Sequence, residues 1–397
     1  MRRLRIAQVA PPYERVPPLG YGGTERIVDE LVRELTRRGH EVTTFASGDS
    51  EVPGRLVPTV VRALRPTGFS GDPTPYLVRT QLEVLARADE FDLVHSHLEW
   101  GSVLLARALP LPVVATFHGR IDGPVSAEIL RHAPPTMVAI SRAQASTHPD
   151  VPWAAVIHHG LSLEDAPFDR RHGDDLCFVG RVAPEKGVVE AIEVARRTGR
   201  RLRIAAKIGT MSHERDYYEA VFRPALERAG TGVEFLGELD RVERDRLFAA
   251  SHASVLPGAW PEPFGLTTIE SLACGTPVVV RRVGALPEVV REGIDGYFGD
   301  DVAQLAFFVD RVAGLDRERI RREALERFSP RRMVDEYEAL YARVLGGAAL
   351  TGPDVARGPV TGPPGAGRSR PGGRIASSGS GNGHQPVVAG TPQREAR

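Results

Sequence analysis

The residues best suited to chemistry stand in one segment, Pro261-Glu262-Pro263-Phe264-Gly265-Leu266-Thr267-Thr268-Ile269-Glu270. Two prolines hold an extended loop around Glu262, because each fixes its own φ and biases the residue before it away from helix. A helix is expected to start at Gly265 or Leu266, and the unpaired N–H groups of its first turn suit an anion such as a phosphate. Glu270 follows Glu262 by eight positions, which places one carboxylate on a loop and the other on the helix flank. Carboxylate oxygens are good acceptors for sugar hydroxyls. The plain alternative is a capped surface helix with two solvated glutamates. It leaves unexplained why an apolar strand, a proline-bracketed glutamate and a glycine-bearing helix start occur together.

A second cluster is Phe178-Val179-Gly180-Arg181-Val182-Ala183-Pro184-Glu185-Lys186-Gly187, where a strand turns toward a helix. That carboxyl edge is where α/β sheets bind ligands. Arg181 and Lys186 are expected to be two cations on one loop, where solvated charge is the default reading of the segment alone and neutralising a diphosphate leaving group the functional one. A third is Gly20-Tyr21-Gly22-Gly23-Thr24-Glu25-Arg26. Glycine lets backbone approach a ligand closely, but the spacing fits neither a dinucleotide fingerprint nor a Walker loop. His118 ends an apolar strand in Ala115-Thr116-Phe117-His118-Gly119. A lone histidine is more often structural than functional. His95 and His97 could face the same cleft, with strand-end packing an equal alternative. His158-His159 suggests metal, yet adjacent residues on a strand point to opposite faces. No Asp-x-Asp ends an apolar strand and no Cys/His cluster has ligand spacing, so neither a metal nor a cofactor is expected.

These residues need elements to hold them. A chain of 397 residues is long for one core, so two domains are the default. Lys plus Arg equals Asp plus Glu at 51 each, which removes a whole-molecule electrostatic case for nucleic-acid binding. Cys177 and Cys274 sit in apolar contexts and read as small core residues in a reducing compartment. The basic start has too short an apolar run for a signal peptide, so a cytoplasmic protein is expected.

The pattern alternates. Strands are expected at 4–10, 41–46, 93–95, 113–117, 138–140 and 155–157, with helices at 24–38 and 76–87. The polar stretch 169–175 reads as a linker. Strands at 176–179, 202–206, 233–236, 253–256 and 277–280 then alternate with helices at 188–197, 214–229, 242–250 and 266–273. The fold class is therefore α/β, with two doubly wound parallel sheets. A final helix at 333–345 carries Tyr337, Leu340, Tyr341 and Val344 on one stripe, which needs a partner and is expected to cross back to the first domain. The expected division is 1–165, 166–330, the helix 331–349 and a tail 350–397, whose Gly-, Pro- and Ser-rich composition reads as disordered.

The segment from Glu262 to Glu270 resembles the E-x7-E motif of the retaining glycosyltransferases of family 4, which share the GT-B fold of two facing Rossmann-like domains. Ala273-Cys274-Gly275-Thr276-Pro277-Val278-Val279 and Gly284-Ala285-Leu286-Pro287-Glu288 are also similar to that family, and the likeness spans residues 4–345. It implies that Glu262 holds hydroxyls of a donor sugar and Glu270 the ribose hydroxyls. Backbone groups at Phe264, Gly265 and Leu266 would contact the sugar and diphosphate, with Arg181 and Lys186 on the diphosphate. Gly22 and Gly23 look like the loop that closes on the donor, and His118 like the histidine that touches the sugar near its anomeric carbon. His158-His159-Gly160 stands where many relatives show Pro-Asn-Gly.

The implied activity is transfer from a nucleotide diphospho-sugar, of UDP-glucose or GDP-mannose type, to a hydroxyl of a saccharide, lipid or small molecule, without metal. A silent nucleotide-sugar sensor or partner subunit is the alternative from another class, and a nicotinamide-dependent dehydrogenase lacks its fingerprint here. Loop residues Tyr13, Arg15, Phe69, Trp100 and Arg120 do not reveal the acceptor. Arg33, Arg37 and Arg38 offer a basic helix face for peripheral contact with the inner face of the plasma membrane, against the plainer reading of a solvated face.

Overall fold

In the computed structural model the described residues are 2–20, 22–171, 173–209 and 212–347. Tyr21, His172 and the tail 350–397 lie outside them. The first sheet holds β1 (Arg5–Val9), β2 (Glu41–Ser47), β3 (Arg55–Val60), β4 (Leu93–Ser96), β5 (Val113–Phe117), β6 (Met137–Ala139) and β7 (Ala155–Val156). The second holds β8 (Leu176–Val182), β9 (Leu202–Ile208), β10 (Val233–Gly237), β11 (Ala253–Leu256), β12 (Val278–Val280) and β13 (Gly296–Phe298). Their orders are β3-β2-β1-β4-β5-β6-β7 and β10-β9-β8-β11-β12-β13, and the pairs are parallel. The strands are short apolar runs because helices cover both faces of a parallel sheet. Each sheet reverses its winding once, between β1 and β4 and between β8 and β11. The crevice at the carboxyl end of such a reversal is where open α/β sheets take ligands.

The last helix, Pro330–Leu345, packs against the first, Gly23–Arg37, as its apolar stripe requires. Tyr337 and Tyr341 are fully buried. Tyr337 Oη lies 2.9 Å from Thr116 Oγ1 on β5, and Tyr341 Oη lies 2.7 Å from His95 Nδ1 on β4. The outgoing chain touches the returning one. Leu161 N–H donates to the Phe328 carbonyl at 2.9 Å, and a Cβ on Gly160 would stand 2.3 Å from the Ser329 oxygen. Arg332 donates to the carbonyls of His158 and His159, both at 2.8 Å.

The structure departs from the sequence pattern in several places. Strand β8 runs on to Val182, because Arg181 pairs with Lys207 of β9 in the same register. Arg181 is thus at a strand end and not on the loop with Lys186. The helix expected at 214–229 is Ser212–Tyr217 and Arg223–Ala229 joined by a π segment, Tyr218–Phe222. Pro224 has no N–H to give, which disturbs the regular ladder just there. His158 and His159 follow β7 and are not on a strand, so their divergence comes from their partners. The sequence pattern also passed over β3, β13 and the helices Gly101–Ala108, Val302–Arg311 and Arg317–Arg327. The last of these is mostly charged, with its buried residues limited to Arg317, Ile320 and Ala324.

Arg33 pairs with Asp29 at 2.8 Å, Arg37 with Glu34 at 2.6 Å and Arg38 with Glu34 and Asp335. The basic face is therefore neutralised within the protein. No helix among the described residues is long and apolar enough to cross a membrane.

Substituting Tyr337→Ala empties a fully buried aromatic site and leaves Thr116 without this partner. It should lower the unfolding free energy by about 3–5 kcal/mol. A urea titration that gave the wild-type midpoint would show that the crossing helix does not hold the first sheet.

Candidate active site

The loop after β11 carries Glu262. Its backbone is seated on Gly284, where φ is +54° and a Cβ would come 2.4 Å from the Glu262 oxygen. Ala285 N–H donates to that oxygen at 2.8 Å. Glycine is needed at 284 both for its backbone angle and for this close approach. The helix that follows is Leu266–Ala273, capped by Gly265. Phe264 is buried, and its ring stands edge-on to His159 at 5.0 Å.

Lys186 ends a single turn, Pro184–Lys186, and its ammonium forms an ion pair with Glu262. Arg181 donates to Glu214 at 2.6 Å and to Glu185 at 2.8 Å. The two cations expected to meet a diphosphate are thus held by carboxylates. Glu270 is on the helix, as expected, and only 1% exposed. Arg26 of the first helix pairs with its Oε1, and Arg244 of the helix Arg241–Ala250 donates to the same oxygen at 2.8 Å. Burial acts to raise the Glu270 carboxyl, but the two guanidiniums outweigh it and hold it below its ordinary value.

From the first sheet, His118 follows β5. Its Nε2 is 2.9 Å from His97 Nδ1, and His97 Nε2 is 2.9 Å from Gln8 Oε1. The His118 ring stacks on His159 at 5.1 Å and 18°. Burial pushes His118 down to about 3 and holds His97 and His159 well below the ordinary range, so all three are neutral near pH 7. His158 turns the other way, with Nε2 2.9 Å from Glu288. Glu288 in turn accepts the Arg142 and Ala143 N–H groups at 2.8 and 2.7 Å, which joins the domains. Gly23 opens the first helix, and a Cβ there would be 3.2 Å from Leu266 Cδ1 across the cleft.

These parts surround a cleft of about 760 Å³, within the range of small-molecule sites. Gly23 and His118 line it from the first domain, and Arg181, Lys186, Glu262, Phe264, Gly265 and Leu266 from the second. Gly22 and Glu270 are not among its lining residues, whereas Arg244, which pairs with Glu270, is. Among the described residues, no group of three or more His, Cys, Asp or Glu side chains is placed to hold a metal ion.

Glu25 and Glu99 are among the lining carboxyls that were not picked out as site residues. Glu25 stood inside the glycine motif without a role. Glu99 gave no signal at all, and it is the described non-glycine residue with positive φ, at 51°. Such a backbone persists only where its surroundings enforce it. Its Oε1 accepts the His118 and Gly119 N–H groups at 3.0 and 3.1 Å, fixing the turn that carries His118. Burial pushes both carboxyls up to about 7.

A carboxyl whose folded value is raised keeps its proton where the unfolded chain has lost it. Its contribution is therefore complete below about 4.5 and lost as the pH rises through about 7. Each group should remove on the order of 3 kcal/mol of stability across that window. Glu25→Gln and Glu99→Gln should each flatten the fall in unfolding free energy between those pH values. Curves parallel to wild type would mean that the carboxyls are ionised throughout.

Residues 21–165 match the family described as Glycosyltransferase Family 4, and residues 169–331 match Glycosyl transferases group 1. The chain is 31% identical over 394 residues to a D-inositol 3-phosphate glycosyltransferase of Mycobacterium leprae (strain Br4923), covering 83% of this chain and 90% of that one. It is 29% identical over 366 residues to a glycogen synthase of Mycobacterium tuberculosis (strain CDC 1551 / Oshkosh), covering 78% and 86%. Among solved structures, a glycosyltransferase involved in avilamycin A biosynthesis is similar with a TM-score of 0.64 at 28% identity, over 87% of this chain and 99% of that one. An Anabaena protein in complex with UDP-glucose shares the fold, with a TM-score of 0.66 at 17% identity over 87% and 100% of the two chains.

Proposed function

The chain belongs to glycosyltransferase family 4 and has the GT-B fold, and from that premise we propose that it transfers a hexose with retention and without a metal ion. The donor is a nucleotide diphospho-sugar of the UDP-glucose or GDP-mannose class, and the acceptor is a hydroxyl. One observation carries this reading. Glu262, Lys186, Arg181 and the start of the helix Leu266–Ala273 converge on one wall of the cleft, and His118 faces them from the other domain.

The reaction forms a bond from the acceptor oxygen to the anomeric carbon as the bond from that carbon to the diphosphate oxygen breaks. The acceptor proton goes to the departing phosphate oxygen, and entry on the face of departure retains configuration. Charge grows on the diphosphate in the transition state, so fixed cations and helix N–H groups lower the barrier. Lys186 is held ready by Glu262, a singly charged partner that a diphosphate outbids. Released, the Glu262 carboxylate is free to accept sugar hydroxyls. Phe264, Gly265 and Leu266 would bring backbone to the sugar and phosphates, and Gly22 and Gly23 would close over them. Glu270 would reach the ribose once Arg26 or Arg244 gives way. His118 is neutral and acts by contact with the sugar, not as a nucleophile.

A thermal-shift panel of UDP-glucose, UDP-N-acetylglucosamine, GDP-mannose and ADP-glucose tests the donor class. A ligand at about 100 times its Kd adds roughly 2.7 kcal/mol. A shift with one nucleotide, lost in Glu270→Gln and Glu270→Ala measured against their own baselines, is the expected result. No shift with any of the four would remove this donor class. Once a donor is known, Lys186→Ala should lower kcat/KM roughly 30- to 1000-fold, or about 2–4 kcal/mol. Near-normal turnover would exclude Lys186 from the diphosphate.

A further inference from the structure

We propose that His97 is a positioning residue that fixes the tautomer of His118, leaving this cleft-lining histidine with an unprotonated acceptor nitrogen, Nδ1. The inference rests on the glycosyltransferase reading only in taking the group that meets Nδ1 to be a donor-sugar hydroxyl.

The deduction starts at Gln8 on β1. Its Oε1 can only accept, so the 2.9 Å contact requires a proton on His97 Nε2. His97 is neutral, because burial first and then the neighbouring histidines oppose its charge. A neutral imidazole has one N–H, so His97 Nδ1 is a lone pair. It lies 2.9 Å from His118 Nε2, which must therefore donate to it. His118 is neutral as well, and its remaining nitrogen, Nδ1, is left with a lone pair.

The other end of the Gln8 amide is compatible with this orientation. Its Nε2 faces Tyr341 Oη at 3.5 Å, and the Tyr341 hydroxyl lies 2.7 Å from His95 Nδ1. Tyr341 then accepts from Gln8 and donates to His95, His95 Nε2 donates to Thr116 Oγ1 at 2.8 Å, and Thr116 continues to Tyr337 at 2.9 Å. Every bond in that series has one donor and one acceptor. Reversing Gln8 would reverse both rings and leave His118 with an Nδ1–H that has no acceptor. His118 Nδ1 is buried and has no partner in the protein. A buried unmet N–H is the rarer defect, and a buried unmet acceptor is one that a ligand hydroxyl relieves. The stack with His159 and the Glu99 bonds to the following backbone keep the ring from turning to another partner.

The test is two-bond 1H–15N correlation of the full chain labelled with 15N-histidine, with His118 assigned from its variant His118→Asn. The wild-type protein without donor should show Nε2–H and a bare Nδ1 on both His97 and His118. A protonated Nδ1 on His118 would overturn the proposal. His97→Phe keeps a ring but removes the acceptor, and should release the fixed tautomer of His118. It should lower kcat about tenfold, the scale of one hydrogen bond, with KM little changed. His97→Asn, which puts an amide oxygen near the place of Nδ1, should recover most of that loss. An unaltered His118 tautomer in His97→Phe would also overturn the proposal. Titration of the wild type with UDP-glucose and with GDP-mannose separates the two readings. If the tautomers are as expected but neither donor moves the His118 Nδ1 signal, the role of His97 stands and the donor contact of His118 falls.

Discussion

Polar groups buried in the strands of the first sheet must be satisfied inside the protein, and much else follows from that constraint. Gln8, His95, His97 and Thr116 lie on or next to β1, β4 and β5 with no exposed surface. An unmet polar group in such a place costs about 1–3 kcal/mol. The bonds between neighbouring strands, His97 to Gln8 and His95 to Thr116, do not satisfy all of them. The crossing helix brings the hydroxyls of Tyr337 and Tyr341, and the histidines use what remains. The last helix is therefore more than an apolar cover. It completes a polar layer whose far end is His118, at the cleft.

The second half of the site obeys a different rule, that of compensated charge. Lys186 with Glu262, Arg181 with Glu185 and Glu214, and Glu270 with Arg26 and Arg244 form separate ion-paired groups around one cavity. Breaking a buried pair without a replacement is far more costly than exchanging partners. Glu270 shows the difference in degree, since it is nearly inaccessible while Lys186 and Glu262 keep about a quarter of their side-chain surface.

Much of this was legible because it is local. The proline-bracketed loop, the helix start beside Gly265 and the alternation of strands and helices are each set within a few residues. What stayed hidden depends on distant chain. Arg181 was placed on a loop because its register with Lys207 is a matter of strand pairing, not of its neighbours in sequence. Glu270 was expected on the helix flank, where it is, but no periodicity could reveal Arg26 above it. The divergence of His158 and His159 was anticipated for a reason that does not hold, since neither is on a strand. The positive φ of Glu99 is imposed by its bonds to the His118 turn, and a glutamate in sequence gives no sign of that. Residue roles that rest on local geometry can be read early, whereas those that rest on a second partner need the fold.

The chain passes between its two sheets once outward at Gly160 and once back at Ser329, and the two passages touch so closely that a single added carbon would collide. Two strands of covalent chain fastened at one spot behave as an axle. Rotation of one sheet against the other has little displacement at that spot, and sliding in any direction would stretch both strands together. Displacement then grows with distance from the axle, and the contact of Arg120 over the Trp260 ring at 4.0 Å, which spans the cleft, is one that such a rotation makes or breaks.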